Sequence, residues 1–114
     1  MGLLGVIVLP DVCRELHYFS FVADKALVGH VTRTVKVNNA DQCEIRCYEE
    51  LECFCYNLGP YQDDRHVCEL SNSDHLRHPD DLVSMPGFIY RGTEVQNLMK
   101  LCVRVNSNFR FFFN

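Results

Sequence analysis

The stretch from His30 to Val37 alternates polar and apolar residues almost cleanly. Val31, Val35 and Val37 share one face and Thr32, Thr34 and Lys36 the other, the period-two pattern of a half-buried strand. Arg33 interrupts the apolar face and places this strand near a sheet edge. Upstream, Leu16 to Val22 (L-H-Y-F-S-F-V) is aromatic and strand-like. Downstream, Asn38-Asn39-Ala40 reads as a turn. Asp41 followed by Glu44 then has the capping-box pattern and predicts a short helix. Cys43 and Cys47 sit one turn apart on one helix face, and Leu51 extends that stripe by a further turn. Glu49, Glu50 and Glu52 face solvent near the C-terminal end, where the helix dipole slightly disfavours them. A helix this short is marginal alone, so packing and cross-links must hold it.

Residues Cys53 to Leu58 predict a strand, with Cys53, Cys55 and Asn57 on one face and Phe54, Tyr56 and Leu58 on the other. Gly59-Pro60 ends it, and Tyr61 to Arg65 form a polar hairpin loop. His66 to Leu70 is the return strand, with Cys68 and Leu70 on one face. Ser71 to Ser84 is polar, contains Pro79, and reads as a long loop with one helical turn. Gly87 to Arg91 is a last short strand. No internal repeat or low-complexity segment occurs. The pattern is α+β: an antiparallel sheet with one disulfide-tethered helix packed on a face.

Composition narrows the function classes. A chain of 114 residues suits one domain with a modest core. With 47% hydrophobic and 23% charged residues it is not a disordered segment. The net charge is −4 and no basic cluster stands out, which argues against a nucleic-acid partner. Seven cysteines are present: Cys43, Cys47, Cys53, Cys55 and Cys68 in the middle, with Cys13 and Cys102 far out. So many cysteines in a small chain read as a disulfide framework built in an oxidising, secreted compartment, and make catalysis the lesser expectation. The count is odd, so at least one thiol is free or pairs outside this sequence. About 105 pairing schemes use six of the seven. Cys43 and Cys47 share a helix face and cannot usefully pair with each other, so each is expected to bond to the sheet.

Both ends differ from the middle. Gly2 to Pro10 is apolar but far too short to span a bilayer. Residues 1–12 read as a signal-peptide remnant although no basic region precedes them; the plainer alternative is an apolar first strand. Residues 92–114 form an atypical tail ending F-R-F-F-F-N. Phe111 to Phe113 either pack back onto the domain or mark the end of a truncated parent protein. No other stretch is long and apolar enough to insert in a membrane.

Sharper chemistries find little support. An all-cysteine zinc site from Cys43, Cys47, Cys53 and Cys55 lacks the C-x2-C turns that structural zinc prefers. His75 and His78 with Asp80 and Asp81 read more simply as a solvated loop than as a metal site. Cys53-Phe54-Cys55, with His66 nearby in sequence, lacks the C-x-x-C at a helix start that redox enzymes of the thioredoxin type use. No hydrolase or metalloprotease motif occurs. No N-glycosylation sequon occurs either, since Asn72-Ser73-Asp74 and Asn106-Ser107-Asn108 lack the third-position hydroxyl. Neither a cofactor nor a metal is expected.

The frame C-x3-C-x5-C-x-C-x-N, followed by C-E-L, resembles the PAN/apple domain family. Cys43 and Cys47 match its helical C-x3-C, Cys53 with Asn57 its C-x-S-x-N strand, and Cys68-Glu69-Leu70 its C-E-L. A-L-V-G-H-V from Ala26 to Val31 is similar to the family's first strand, and G-F-I-Y-R from Gly87 to Arg91 to its last. The resemblance covers about Cys13 to Arg91, an expected domain of residues 13–91, and is similar in flavour to PAN modules of cnidarian extracellular proteins. It implies disulfides Cys43–Cys68 and Cys47–Cys53, with an apple-type third bond falling on Cys13–Cys102. The family's serine is replaced by Cys55, which then is the odd thiol. The implied function is non-catalytic binding or adhesion in the extracellular space, toward a protein or a glycan. The candidate contacts lie on the Tyr61 to Arg65 hairpin and the Asp74 to Asp81 loop, with Tyr61, Arg65, His75 and His78 as the side chains to watch. Two other readings compete: a structural oligomer joined through Cys55 or the phenylalanine tail, and a small secreted thiol enzyme.

Overall fold

The computed structural model describes the backbone of residues 11–13, 16–95, 100–105 and 108–112, and side chains from 16 to 94. The chain falls into two units, one of Leu16–Val95 and one made of the two ends. The strands are β1 (Asp11–Cys13), β2 (Leu16–Tyr18), β3 (Val22–Leu27) and β4 (Val31–Val37). Helix α1 (Ala40–Glu49) follows. The hairpin strands β5 (Cys55–Gln62) and β6 (Arg65–Ser71) come next, and then a 3-10 turn at Pro79–Asp81. Strands β7 (Leu82–Val95), β8 (Lys100–Val105) and β9 (Asn108–Phe112) complete the order.

The Leu16–Val95 unit is an antiparallel sheet of order β2-β7-β5-β6-β4, with β3 also paired to β7. The helix packs on one face, so the α+β architecture is as the pattern predicts. β4 ends the strand order, the position that Arg33 indicated. In the other unit the strand order is β9-β8-β1, with Asp11 and Phe111 both opposite Cys102 in the register. The expected Cys13–Cys102 bond and the packing of Phe111 to Phe113 concern side chains outside the described residues. So does most of the apolar 1–12 segment.

Several elements differ from expectation, each for a local reason. The aromatic run at Leu16 to Val22 splits into β2 and the start of β3. Asp24 then adopts φ +59°, and its carboxylate accepts a hydrogen bond from Gly87 N at 3.0 Å. This irregularity sets Ala23 opposite Ile89 but Lys25 opposite Ser84. The slack lets β7 run through Pro86 and Gly87 for 14 residues, where only Gly87 to Arg91 was expected. Pro60 likewise does not end β5. It sits within a register shift between Leu58 and Tyr61, where the missing N–H matters least. The hairpin closes instead at Asp63-Asp64, both at positive φ, as a two-residue primed turn requires.

The helix cap also moves. Asn39 is the N-cap, not Asp41: its Oδ1 accepts from Gln42 N at 2.9 Å, while Gln42 Oε1 accepts from Asn38 N at 2.7 Å. The exchange resembles a capping box placed two residues earlier than predicted, except that Gln42 bonds the N–H of Asn38, just before the cap, and not that of the cap residue itself. Helix α1 stops at Glu49, and Leu51 lies exposed beyond it rather than extending the stripe. The chain must reverse there to bring Cys53 back to Cys47, and hydrogen bonds from Glu50 N to Cys47 O and from Cys53 N to Glu50 O tighten that reversal.

Two disulfides, Cys43–Cys68 and Cys47–Cys53, pin the buried face of α1 to the sheet, with Cα–Cα spans of 5.7 and 5.2 Å. They sit in one core with Val37, Tyr56, Leu58 and Leu70. Bonded in this way, three of the four cysteines in the zinc alternative are not available as ligands. Cys55 belongs to a second cluster, with Leu27 and Tyr90. Cys53 and Cys55 were expected on one strand face; they lie in different cores because Cys53 precedes β5 and turns toward the helix.

Candidate binding surface

The sheet face away from the helix is covered by residues 72–81. Their backbone and side chains are tied down densely for a loop. Buried Asp74 accepts hydrogen bonds on Oδ1 from Leu76 N at 3.0 Å and Arg77 N at 2.9 Å, an Asx turn. His78 N donates to Asp74 O, and Ser73 Oγ lies 2.7 Å from His78 Nδ1. The β3–β4 connection holds both ends: Asn72 N donates to His30 O, and Val28 N to Asp81 O. His30 Nε2 meets Asp81 Oδ2 at 2.8 Å, and the His30 and His78 rings stack 4.2 Å apart.

This anchoring presents an apolar and cationic tip. Leu76 is 59% exposed. The Arg77 guanidinium lies 4.8 Å over the Phe54 ring. His75 meets Phe19 edge-on at 5.2 Å, and Phe19 and Phe21 are themselves exposed. Arg91 lies 4.4 Å over Phe21 and donates from Nε to Phe19 O at 2.8 Å. Large exposed apolar groups with cations on aromatic faces, set on a fixed backbone, suit recognition of another molecule.

The four expected contact residues do not form one site. Tyr61, near the end of β5, and Arg65, the first residue of β6, flank the Asp63-Asp64 turn, whereas His75 and His78 lie beyond the other end of β6. Seven strand residues separate the two groups by about 20 Å. Tyr61 is exposed and packs on His66, ring centroids 3.9 Å apart. His75 is half-buried and faces inward, its backbone N donating to Tyr90 Oη and its Nδ1 2.9 Å from the same oxygen. His78 is exposed but engaged by Ser73 and His30. Sequence reasoning missed Leu76 and Phe19, because only the fold sets exposed Phe19 against His75, the chain neighbour of exposed Leu76.

Asn57 and Glu69 prove to be a tether. Asn57 is fully buried; its Oδ1 accepts from Leu27 N and its Nδ2 donates to Leu27 O, each at 2.9 Å. The same Nδ2 donates to Glu69 Oε1 at 3.0 Å. The amide thereby completes the backbone bonding of the end of β3, and Glu69 completes the amide.

The chemistry beneath the loop is inert. Cys55 is a free thiol, fully buried, with the hydroxyls of Ser71 and Tyr90 facing it. Burial pushes its pKa from 9.0 up to about 12, so it stays a thiol at neutral pH. Burial, with Cys55 beside it, also pushes the Tyr90 hydroxyl up. Neither is a nucleophile or general base near neutrality. Buried in this way, Cys55 cannot reach another chain, which removes the Cys55-linked form of the structural-oligomer reading. Among the described residues no three of His, Cys, Asp and Glu are grouped to hold a metal ion. No helix among them is long and apolar enough to cross a membrane.

The family model described as PAN domain matches residues 13–92. No curated protein and no solved structure matches the chain. The matched span contains both disulfides, the Asn57 tether and the anchored loop. PAN domains are generally non-catalytic modules that bind protein or carbohydrate, and they occur in extracellular proteins.

Proposed function

This chain belongs to the PAN domain family, and on that premise we propose that it is a secreted, non-catalytic recognition and adhesion module. It binds an extracellular protein or glycan through the 72–81 loop and the adjoining Phe19–Phe21 segment. The observation that carries this reading is the loop's anchoring. Asp74, His78 and Asp81 hold the backbone while Leu76 and Arg77 are exposed on a loop whose His75 meets exposed Phe19. A loop already ordered loses little conformational entropy on binding, so its contacts convert more fully into affinity. The disulfides suit an oxidising, secreted environment.

The test is an array of extracellular protein domains and glycans, probed with labelled protein and with a Leu76→Ala/Arg77→Ala variant. Ligands bound by the loop lose about tenfold or more in affinity, as hot-spot truncations do, while Tyr61→Ala leaves them unchanged. Ligands that ignore the loop variant and respond only to Tyr61→Ala would move the site to the hairpin.

A further inference from the structure

A second surface lies where the edge of the sheet meets the helix. Lys36, Val37, Gln42, Ile45 and Arg46 line an open recess of about 190 Å³ between β4 and α1. Val37 is its buried apolar floor, and Ile45 is a half-exposed wall. Lys36 and Arg46 flank it, and neither has an ion-pair partner among the described residues. The contrast with other arginines is clear: Arg33 pairs with Glu50 at 3.2 Å and Arg91 with Glu44 at 2.7 Å. Exposed Tyr61 stands close by, its hydroxyl 3.5 Å from Asn38 O and its ring against His66, which is opposite Val37 in the register.

We propose that this recess docks an acidic protein segment, with an apolar side chain against Val37 and Ile45 and carboxylates on Lys36 and Arg46. Three observations select that occupant. The volume lies well below the roughly 300–1,000 Å³ of a small-molecule pocket, and suits one aliphatic side chain. The cations flank the apolar surface instead of forming a continuous stripe, so they match a short segment with carboxylates on either side of an apolar residue. A polyanionic glycan has no apolar group to fill the floor. Third, β4 pairs only with β6 among the described residues, so an extended segment has room along its outer edge. The chain's net charge of −4 opposes long-range attraction of anions, so binding here depends on contact with these two cations. The inference is independent of the loop reading above, since neither Leu76 nor Arg77 lines the recess.

The experiment is fluorescence anisotropy with a labelled Glu-Glu-Leu-Glu-Glu peptide, the same peptide with serine for leucine, and low-molecular-weight heparin. The intact protein is compared with Lys36→Glu/Arg46→Glu and, separately, with Ile45→Ser; all three positions are at the surface. The expected result is saturable peptide binding that weakens about tenfold or more in the charge-reversal variant. It weakens several-fold with Ile45→Ser or the serine peptide, and is unchanged in Leu76→Ala/Arg77→Ala. Absence of peptide binding, or equal affinity in both recess variants, overturns the proposal. So does heparin binding that depends on Lys36 and Arg46 but not on Ile45, which would make the recess a glycan contact.

Discussion

Arg91 Nη1 donates to Glu44 Oε1 across 2.7 Å and so couples the longest strand of the sheet to the middle of the helix. The same guanidinium bonds Phe19 O through Nε and lies over the rings of Tyr18 and Phe21. One side chain therefore joins the helix, β7 and the segment that carries the exposed phenylalanines. The ion pair is partly solvated and contributes little alone. The hydrogen bond and the two ring contacts carry more.

Replacing Arg91 with alanine is expected to destabilise the domain by about 2 kcal/mol, from the loss of that hydrogen bond and those ring contacts. Arg91→Lys should recover less than half, because an ammonium cannot bond Glu44 and Phe19 in one planar fork. Urea unfolding followed by circular dichroism measures both. Equal stability of wild type and Arg91→Ala would remove the coupling role.

Gly92 leaves the space that His75 and Tyr90 occupy. A Cβ added there would stand 2.6 Å from His75 Nδ1 and 2.7 Å from Tyr90 Oη. Gly92→Ala is expected to cost about 1–3 kcal/mol, as overpacking does, and to lift the loop. Trypsin cleavage after Arg77 should then become fast under conditions that leave the wild type intact.

The Cys55 thiol has its pKa raised in the folded state, from 9.0 to about 12. The sign follows from linkage: the stability it contributes is fully present below pH 9 and is lost as pH rises toward 12. Between those values the unfolded chain sheds a proton that the folded one keeps. Cys55→Ala should therefore flatten the alkaline decline in stability measured by unfolding at a series of pH values. In the wild type, Ellman's reagent at neutral pH should label Cys55 only after denaturation.

The two disulfides should differ in worth. Cys43–Cys68 closes 25 residues and Cys47–Cys53 only 6. On the chain-entropy account the first contributes about 3.5 kcal/mol and the second about 2 kcal/mol. Thermal unfolding of Cys43→Ala/Cys68→Ala should show the larger loss, a substantial share of a typical domain's net stability. A larger loss in Cys47→Ala/Cys53→Ala would contradict the entropic ranking.

Asn39→Ala removes the acceptor for Gln42 N and should cost about 1 kcal/mol, whereas Asp41→Ala should cost much less. Denaturant midpoints of the two variants decide which residue is the cap.

Much of this protein was legible in its residues alone. Valine alternation in 31–37 gave a strand, and Arg33 put it at the edge, because a two-residue period and a charged interruption are local facts. The C-x3-C spacing set both helix cysteines on one face for the same reason. The family frame carried the two pairings, which its order of motifs encodes without any geometry. Tertiary structure decided what depended on distant partners. Cys53 and Cys55 separated because the chain had to turn back to Cys47 before β5 could begin. β7 passed through Pro86 and Gly87 because Asp24, far away in sequence, caps the irregularity opposite them. The candidate surface needed Phe19 and Leu76 together, and only the return of β2 along the far end of β7 brings them there. Periodicity reports what one segment prefers. Which segments share a surface is set by pairing across the sheet, and that is a property of the whole fold.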